Sequence, residues 1–132
     1  TRAWAVTGRE EYAEGFWSLL ESWCEQNPPN AGPNWKCGQE ASLRLMAWTF
    51  ALHGLATSVS TTAERLVLML KAVAATLDRV EATIGYALCQ NNNHGISETM
   101  GLLVGGLLFP ELRGAARRAS LGRRLLEQQI AR

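Results

Sequence analysis

Residues 61–89 read TTAERLVLMLKAVAATLDRVEATIGYALC, and the placing of their apolar side chains decides the fold class. Leu66, Leu70, Val73, Leu77, Val80, Ile84 and Leu88 recur every three or four residues, the spacing that lines one face of an α-helix. The preceding Thr61, Thr62, Ala63 and Glu64 match a capping box, with Thr61 accepting from an early amide and Glu64 reaching back. A helix is expected from there to about Cys89, kinked near Gly85, and broken by Gln90-Asn91-Asn92-Asn93.

The same period extends on both sides. Tyr12, Phe16, Leu19, Leu20 and Trp23 predict an amphipathic helix over residues 9–25 that buries this face and exposes Glu10, Glu14 and Glu21. Asn27-Pro28-Pro29-Asn30-Ala31-Gly32-Pro33 stops it, because proline lacks an amide donor and restricts its predecessor. After Asn34-Trp35 a further helix is expected to about Ala56, with Ala41, Leu45, Trp48, Leu52 and Leu55 on one face and Leu43, Met46 and Phe50 alongside. A helix apolar almost all round must be covered on most sides, as in the inner layer of a two-layer helical array. Residues 96–108 predict another helix ended by Pro110. A last one is expected from Glu111, with Leu112, Ala116, Ala119, Leu126 and Ile130 inward and arginines outward. No strand pattern occurs, so the fold class is all-α.

A chain of 132 residues that is 47% hydrophobic can pack a core, which argues against disorder and for a soluble, single-domain piece. Formal net charge is +1, but Arg113, Arg117, Arg118, Arg123, Arg124 and Arg132 crowd the last stretch. They read either as a solvated helix face or as an attraction for an anionic partner; no nucleic-acid motif accompanies them and no nucleic-acid partner is expected. Cys24, Cys37 and Cys89 form no CxxC pair and lack the histidine spacing of a zinc site, so no metal or other cofactor is expected; a Cys24 to Cys37 bridge stays open. Residues 100–110, the most apolar run, are too short to span a bilayer and read as a buried helix. Residue 1 is not methionine and no signal segment opens the chain, as expected of a processed protein or a fragment.

The densest polar cluster is Asn91-Asn92-Asn93-His94-Gly95-Ile96-Ser97-Glu98, at the entrance of an apolar helix. One reading is capping: an asparagine caps the helix, His94 sits in its first turn and Glu98 one turn on. Asn93-His94, Glu98, Gly101-Leu102 and Phe109-Pro110-Glu111 are, however, also similar to the signature of the heparinase II/III-like polysaccharide lyases. Upstream, Trp23, Asn27-Pro28, Gly32, Asn34-Trp35, Glu40, Arg44 and Trp48 resemble the segment that precedes it in that family, in the same order.

The resemblance covers the chain from about Phe16 onward and implies a helical hairpin array, part of an incomplete (α/α) toroid whose loops line a cleft for acidic polysaccharide. Residues 1–132 would be one segment of it, with a β-sandwich domain and the catalytic tyrosine outside the chain. The implied activity is β-elimination on a glycosaminoglycan, alginate or related bacterial uronate polymer, in the periplasm or outside the cell, with this segment inactive alone. The competing reading is a noncatalytic helical module that binds carbohydrate or another partner.

The chemistry explains the residue types. Removing a proton alpha to a carboxylate adds negative charge to an anion, so amide and imidazolium donors aimed at that carboxylate stabilise the developing charge. The resemblance gives that role to Asn93 and His94. Asn34, Trp35, Arg44 and Asn92 are expected substrate contacts, although a tryptophan at position 35 also reads as a packing plug. Glu40 and Arg44, four apart, suit an intrahelical ion pair, and Glu98, four after His94, suits orienting that histidine. Tyr12 and Tyr86 match no catalytic segment and read as core or interfacial, and His53 reads as a capping or core histidine.

Overall fold

The computed structural model describes residues 1–131, so Arg132 lies outside the described residues. The helices are α1 (Arg2–Thr7), α2 (Glu11–Gln26), α3 (Gly38–Gly54), α4 (Ala63–Cys89), α5 (Asn93–Leu108) and α6 (Ala115–Ile130), with a 3-10 turn at Pro33–Trp35. No strand occurs among the described residues.

The central helix, α4, runs unbroken through Gly85 and buries Val73, Leu77 and Val80 of the expected stripe. Its cap is Thr62 rather than Thr61: the Thr62 hydroxyl accepts from the Arg65 amide at 3.4 Å. Thr61 is engaged elsewhere, donating to the Leu55 carbonyl at 2.8 Å and accepting from Trp17 Nε1 at 3.0 Å.

Close contacts set the directions of the helices. Gly38 meets Glu98 and Gly101 meets Ser42, so α3 and α5 run parallel. Gly95 faces Gln129, Gly122 faces Thr99 and Leu103, and Gly106 faces Ala115 and Ala119, which makes α5 and α6 antiparallel and brings their backbones together. Leu77 packs on Gly105, while Gln90 shares a cleft with His94, so α4 opposes α5. Arg65 of α4 ties to α2 through Glu14 at 2.5 Å and Glu21 at 2.8 Å. The result is two layers, α2, α4 and α6 in one and α3 and α5 in the other, around a core that includes Trp17, Leu45, Met69, Leu77 and Leu102.

Several expectations shift by one helical stripe. On α2 the buried residues are Ala13, Trp17 and Leu20, and Leu19 is exposed, because apolar residues occupy two adjacent stripes and only packing selects between them. Leu43 and Phe50 of α3 are also exposed, so that helix is covered on fewer sides than its composition suggests. The stretch 111–114 is a turn, since Gly114 takes φ +78° immediately before α6 and cannot continue a right-handed helix. Accordingly α6 buries Ala115, Arg118, Gly122 and Leu125, leaving Ala116 and Ile130 exposed. Arg118 corrects the outward-arginine expectation: its guanidinium is buried between Asp78 and Glu81 of α4. The short α1 lies outside the expected pattern. All three cysteines are free thiols, which closes the question of a Cys24 to Cys37 bridge in this structure. No helix among the described residues is long and apolar enough to cross a membrane.

Candidate functional site

The site begins at the tight connection between α4 and α5. Asn91 takes φ +50°, reversing the chain, and Asn92 caps α5 by accepting from the His94 amide at 2.9 Å. Capping starts α5 at Asn93, three residues before the apolar run at Ile96, and places Asn93 and His94 in its first turn. The other end of the Asn92 carboxamide donates to Gln90 Oε1 at 3.1 Å, so Asn92 is engaged within the chain at both ends. The Asn93 carboxamide makes no hydrogen bond among the described residues; only its backbone carbonyl is used, accepting from Ser97 at 3.0 Å.

One turn further, Glu98 is 3% exposed, and its Oε1 lies 3.6 Å from His94 Nδ1, an ion-pair distance rather than a hydrogen bond. A Cβ at Gly38 would fall 2.3 Å from Glu98 Oε2, so any other residue there displaces the carboxylate, which rests against the first turn of α3, where the helix dipole favours negative charge. Oε2 has no hydrogen-bond partner. Burial pushes the Glu98 carboxyl above its ordinary value, against the opposing charges of His94 and Arg79.

His94 and Glu98 share a cleft of about 430 Å³ with Lys36, Cys37, Gly38, Arg79, Thr83, Tyr86 and Gln90. Arg79, Thr83 and Tyr86 of α4 and Gln90 just after its last residue recur at helical spacing on one face, a period that could have marked them in the sequence. Arg79 donates to the carbonyls of Trp35 at 2.9 Å and Lys36 at 3.4 Å, fixing the segment before α3 beside the cleft. Tyr86 is not a core residue: it is 74% exposed on this wall. Tyr12 is 38% exposed on α2, away from the cleft, and His53 is exposed near the end of α3 with Nδ1 2.8 Å from the Thr49 carbonyl.

Arg44, Asn34 and Trp35 gather in a different place. Trp35 is 2% exposed and bonds the Asn27 carbonyl through Nε1 at 3.1 Å, the packing of a plug, which presents no ring face to a sugar in this arrangement. The Arg44 guanidinium lies 4.4 Å from the ring centre of Trp23, 5.6 Å from Trp48 and 5.8 Å from Trp35, and donates to the Asn34 carbonyl at 3.0 Å. Burial lowers its pKa from the ordinary arginine value. Glu40 is exposed, and no ion pair joins it to Arg44 among the described residues; the arginine turns instead onto the indoles. The Asn34 amide donates to Asn27 Oδ1 at 2.6 Å, tying the loop to itself. No group of histidine, cysteine, aspartate and glutamate suited to a metal occurs among the described residues.

The family model described as Heparinase II/III N-terminus matches residues 1–132, the whole chain. No curated protein and no solved structure matches.

Proposed function

Because the chain belongs to the Heparinase II/III N-terminus family, we propose that it forms one wall of the active site of a polysaccharide lyase, acting by β-elimination on a uronic-acid-containing polymer in the periplasm or outside the cell. The observation that carries the reading is the pairing of His94 with the buried Glu98 in a cleft, with Asn93 preceding that histidine in the first turn of α5.

Abstraction of the proton alpha to a uronate carboxylate delocalises charge onto that carboxylate. Donors that neutralise it lower the barrier because they strengthen as the charge grows. On this reading Asn93 supplies amide hydrogens, and His94 supplies Nε2–H while Glu98 holds the ring from its Nδ1 side. Proton transfer to and from the sugar is assigned to a tyrosine elsewhere in the protein. The candidate polymers are glycosaminoglycans, alginate and related bacterial uronates.

The test uses the full natural polypeptide with a panel of these polymers, following the ultraviolet absorbance of the unsaturated uronate formed on elimination. His94→Ala and Asn93→Ala should each lower turnover by about 10²- to 10³-fold, the scale of losing one charge-stabilising donor. Absence of signal on every polymer, with oligosaccharide binding retained, would refute the lyase and establish a noncatalytic binding module.

A further inference from the structure

The cleft wall opposite α5 carries groups that the elimination chemistry does not use. Tyr86 presents a largely exposed ring there, and its hydroxyl has no hydrogen bond among the described residues. A single exposed aromatic is ordinary, but this one shares its cleft with an unpaired cation. Lys36 is exposed, lines the same cleft and makes no ion pair among the described residues. Its neighbour Arg79 is committed to the carbonyls of Trp35 and Lys36 itself, so it positions the lysine's backbone rather than serving a ligand. Glu98 lines the cleft as a buried carboxylate, its Oε2 covered by the start of α3.

We propose that Tyr86 and Lys36 form a sugar subsite beside His94, in which the phenol ring stacks on a pyranose face and the lysine ammonium binds the acidic substituent of that sugar. The class of ligand rests on the lyase reading. Electrostatics sets the orientation: an acidic substituent is repelled by the Glu98 carboxylate and drawn to Lys36. The subsite thus selects a polymer with an acidic group on a sugar next to the cleaved bond, and its cleft of about 430 Å³ lies within the range of small-ligand sites.

The experiment uses the full natural polypeptide, with calorimetric binding of heparan sulfate, hyaluronan and alginate tetrasaccharides alongside the elimination assay. Tyr86→Ala and Lys36→Gln should each weaken tetrasaccharide binding by about tenfold and raise KM by a similar factor. Tyr86→Phe, which keeps the ring, and Lys36→Arg, which keeps the charge, should recover most of the affinity. Lys36→Gln should also flatten the dependence of binding on salt. Both residues are exposed, so the variants should keep the wild-type circular dichroism spectrum.

Wild-type affinity and KM in Tyr86→Ala and Lys36→Gln, with elimination lost in His94→Ala, would overturn the subsite and leave the lyase standing. Weakened binding in the same variants with no elimination on any polymer would support the subsite and remove the lyase. Collapse of kcat in Tyr86→Phe would overturn the proposal by making the hydroxyl a catalytic group, and failure of every tetrasaccharide to bind would overturn both readings.

Discussion

A methyl group added at Gly106 should destabilise the chain even though alanine is the better helix former. Gly106 is buried in α5 where it crosses α6, and a Cβ there would lie 2.5 Å from the Ala119 nitrogen, 2.6 Å from the Ala115 oxygen and 2.9 Å from the Ala119 Cα. All three are backbone atoms, so no side-chain rotation relieves the clash, and α6 has to withdraw by about 1 Å to restore ordinary contact. Overpacking of this kind costs about 1–3 kcal/mol, while the gain in helix propensity returns about 1 kcal/mol. A net loss of up to about 2 kcal/mol is expected. Gly85 is the control: it is exposed in α4, a Cβ there meets nothing within 4 Å, and Gly85→Ala should gain about 0.5–1 kcal/mol. Urea unfolding of the purified chain followed by circular dichroism, with the two variants compared at matched slopes, measures the difference. Equal stabilisation by both substitutions would refute the backbone contact between α5 and α6.

Glu98→Gln should stabilise the chain by about 1 kcal/mol at neutral pH and not at low pH. Burial raises this carboxyl above its ordinary 4.5, so the folded chain binds more protons than the unfolded one just above that value, and stability falls as pH rises through the window. The neutral amide removes that slope; unfolding curves at about pH 4 and about pH 7 showing the same difference would contradict the assignment. The same substitution should lower turnover, because His94 loses its charged partner, an exchange of stability against activity. Arg44→Ala should cost about 1–3 kcal/mol and alter tryptophan fluorescence, because the guanidinium packs between Trp23, Trp48 and Trp35. Arg44→Lys should recover little of it, since an ammonium lacks the flat face that stacks on an indole; full recovery would show that charge alone matters.

Helix existence was legible because Leu66 to Leu88 and the Pro-rich loop leave no other regular structure. Helix phase was not, as Leu19 and Ala116 show: each stands on an apolar stripe adjacent to the one that packs, and nothing local distinguishes them. The start of α5 was misplaced because the apolar run begins at Ile96, whereas the Asn92 cap begins the helix earlier. Gly114 carried a readable signal, since glycine tolerates the positive φ that delays α6. In the site, the i to i+4 spacing of His94 and Glu98 anticipated their approach. The contributions of Lys36, Arg79 and Tyr86 depend on how α3 and α4 pack around α5, a relation between distant segments that a single periodicity does not encode. The indole stack likewise drew Arg44 away from Glu40, because a cation among aromatic faces competes with a solvated ion pair.

The contact between Gly38 and Glu98 makes positions sixty apart in the chain a single unit of sequence change. Any side chain at 38 intrudes on the carboxylate, so Gly38→Ala alone should be deleterious, whereas a shortened partner such as Glu98→Asp withdraws the carboxylate and makes room. The two substitutions should therefore be strongly non-additive, their joint effect smaller than the sum of the separate ones. Variation at the start of α3 is thereby constrained by the histidine's partner on α5, and a lineage that exchanges the glycine has to pass through, or avoid, a chain in which His94 has lost its hold.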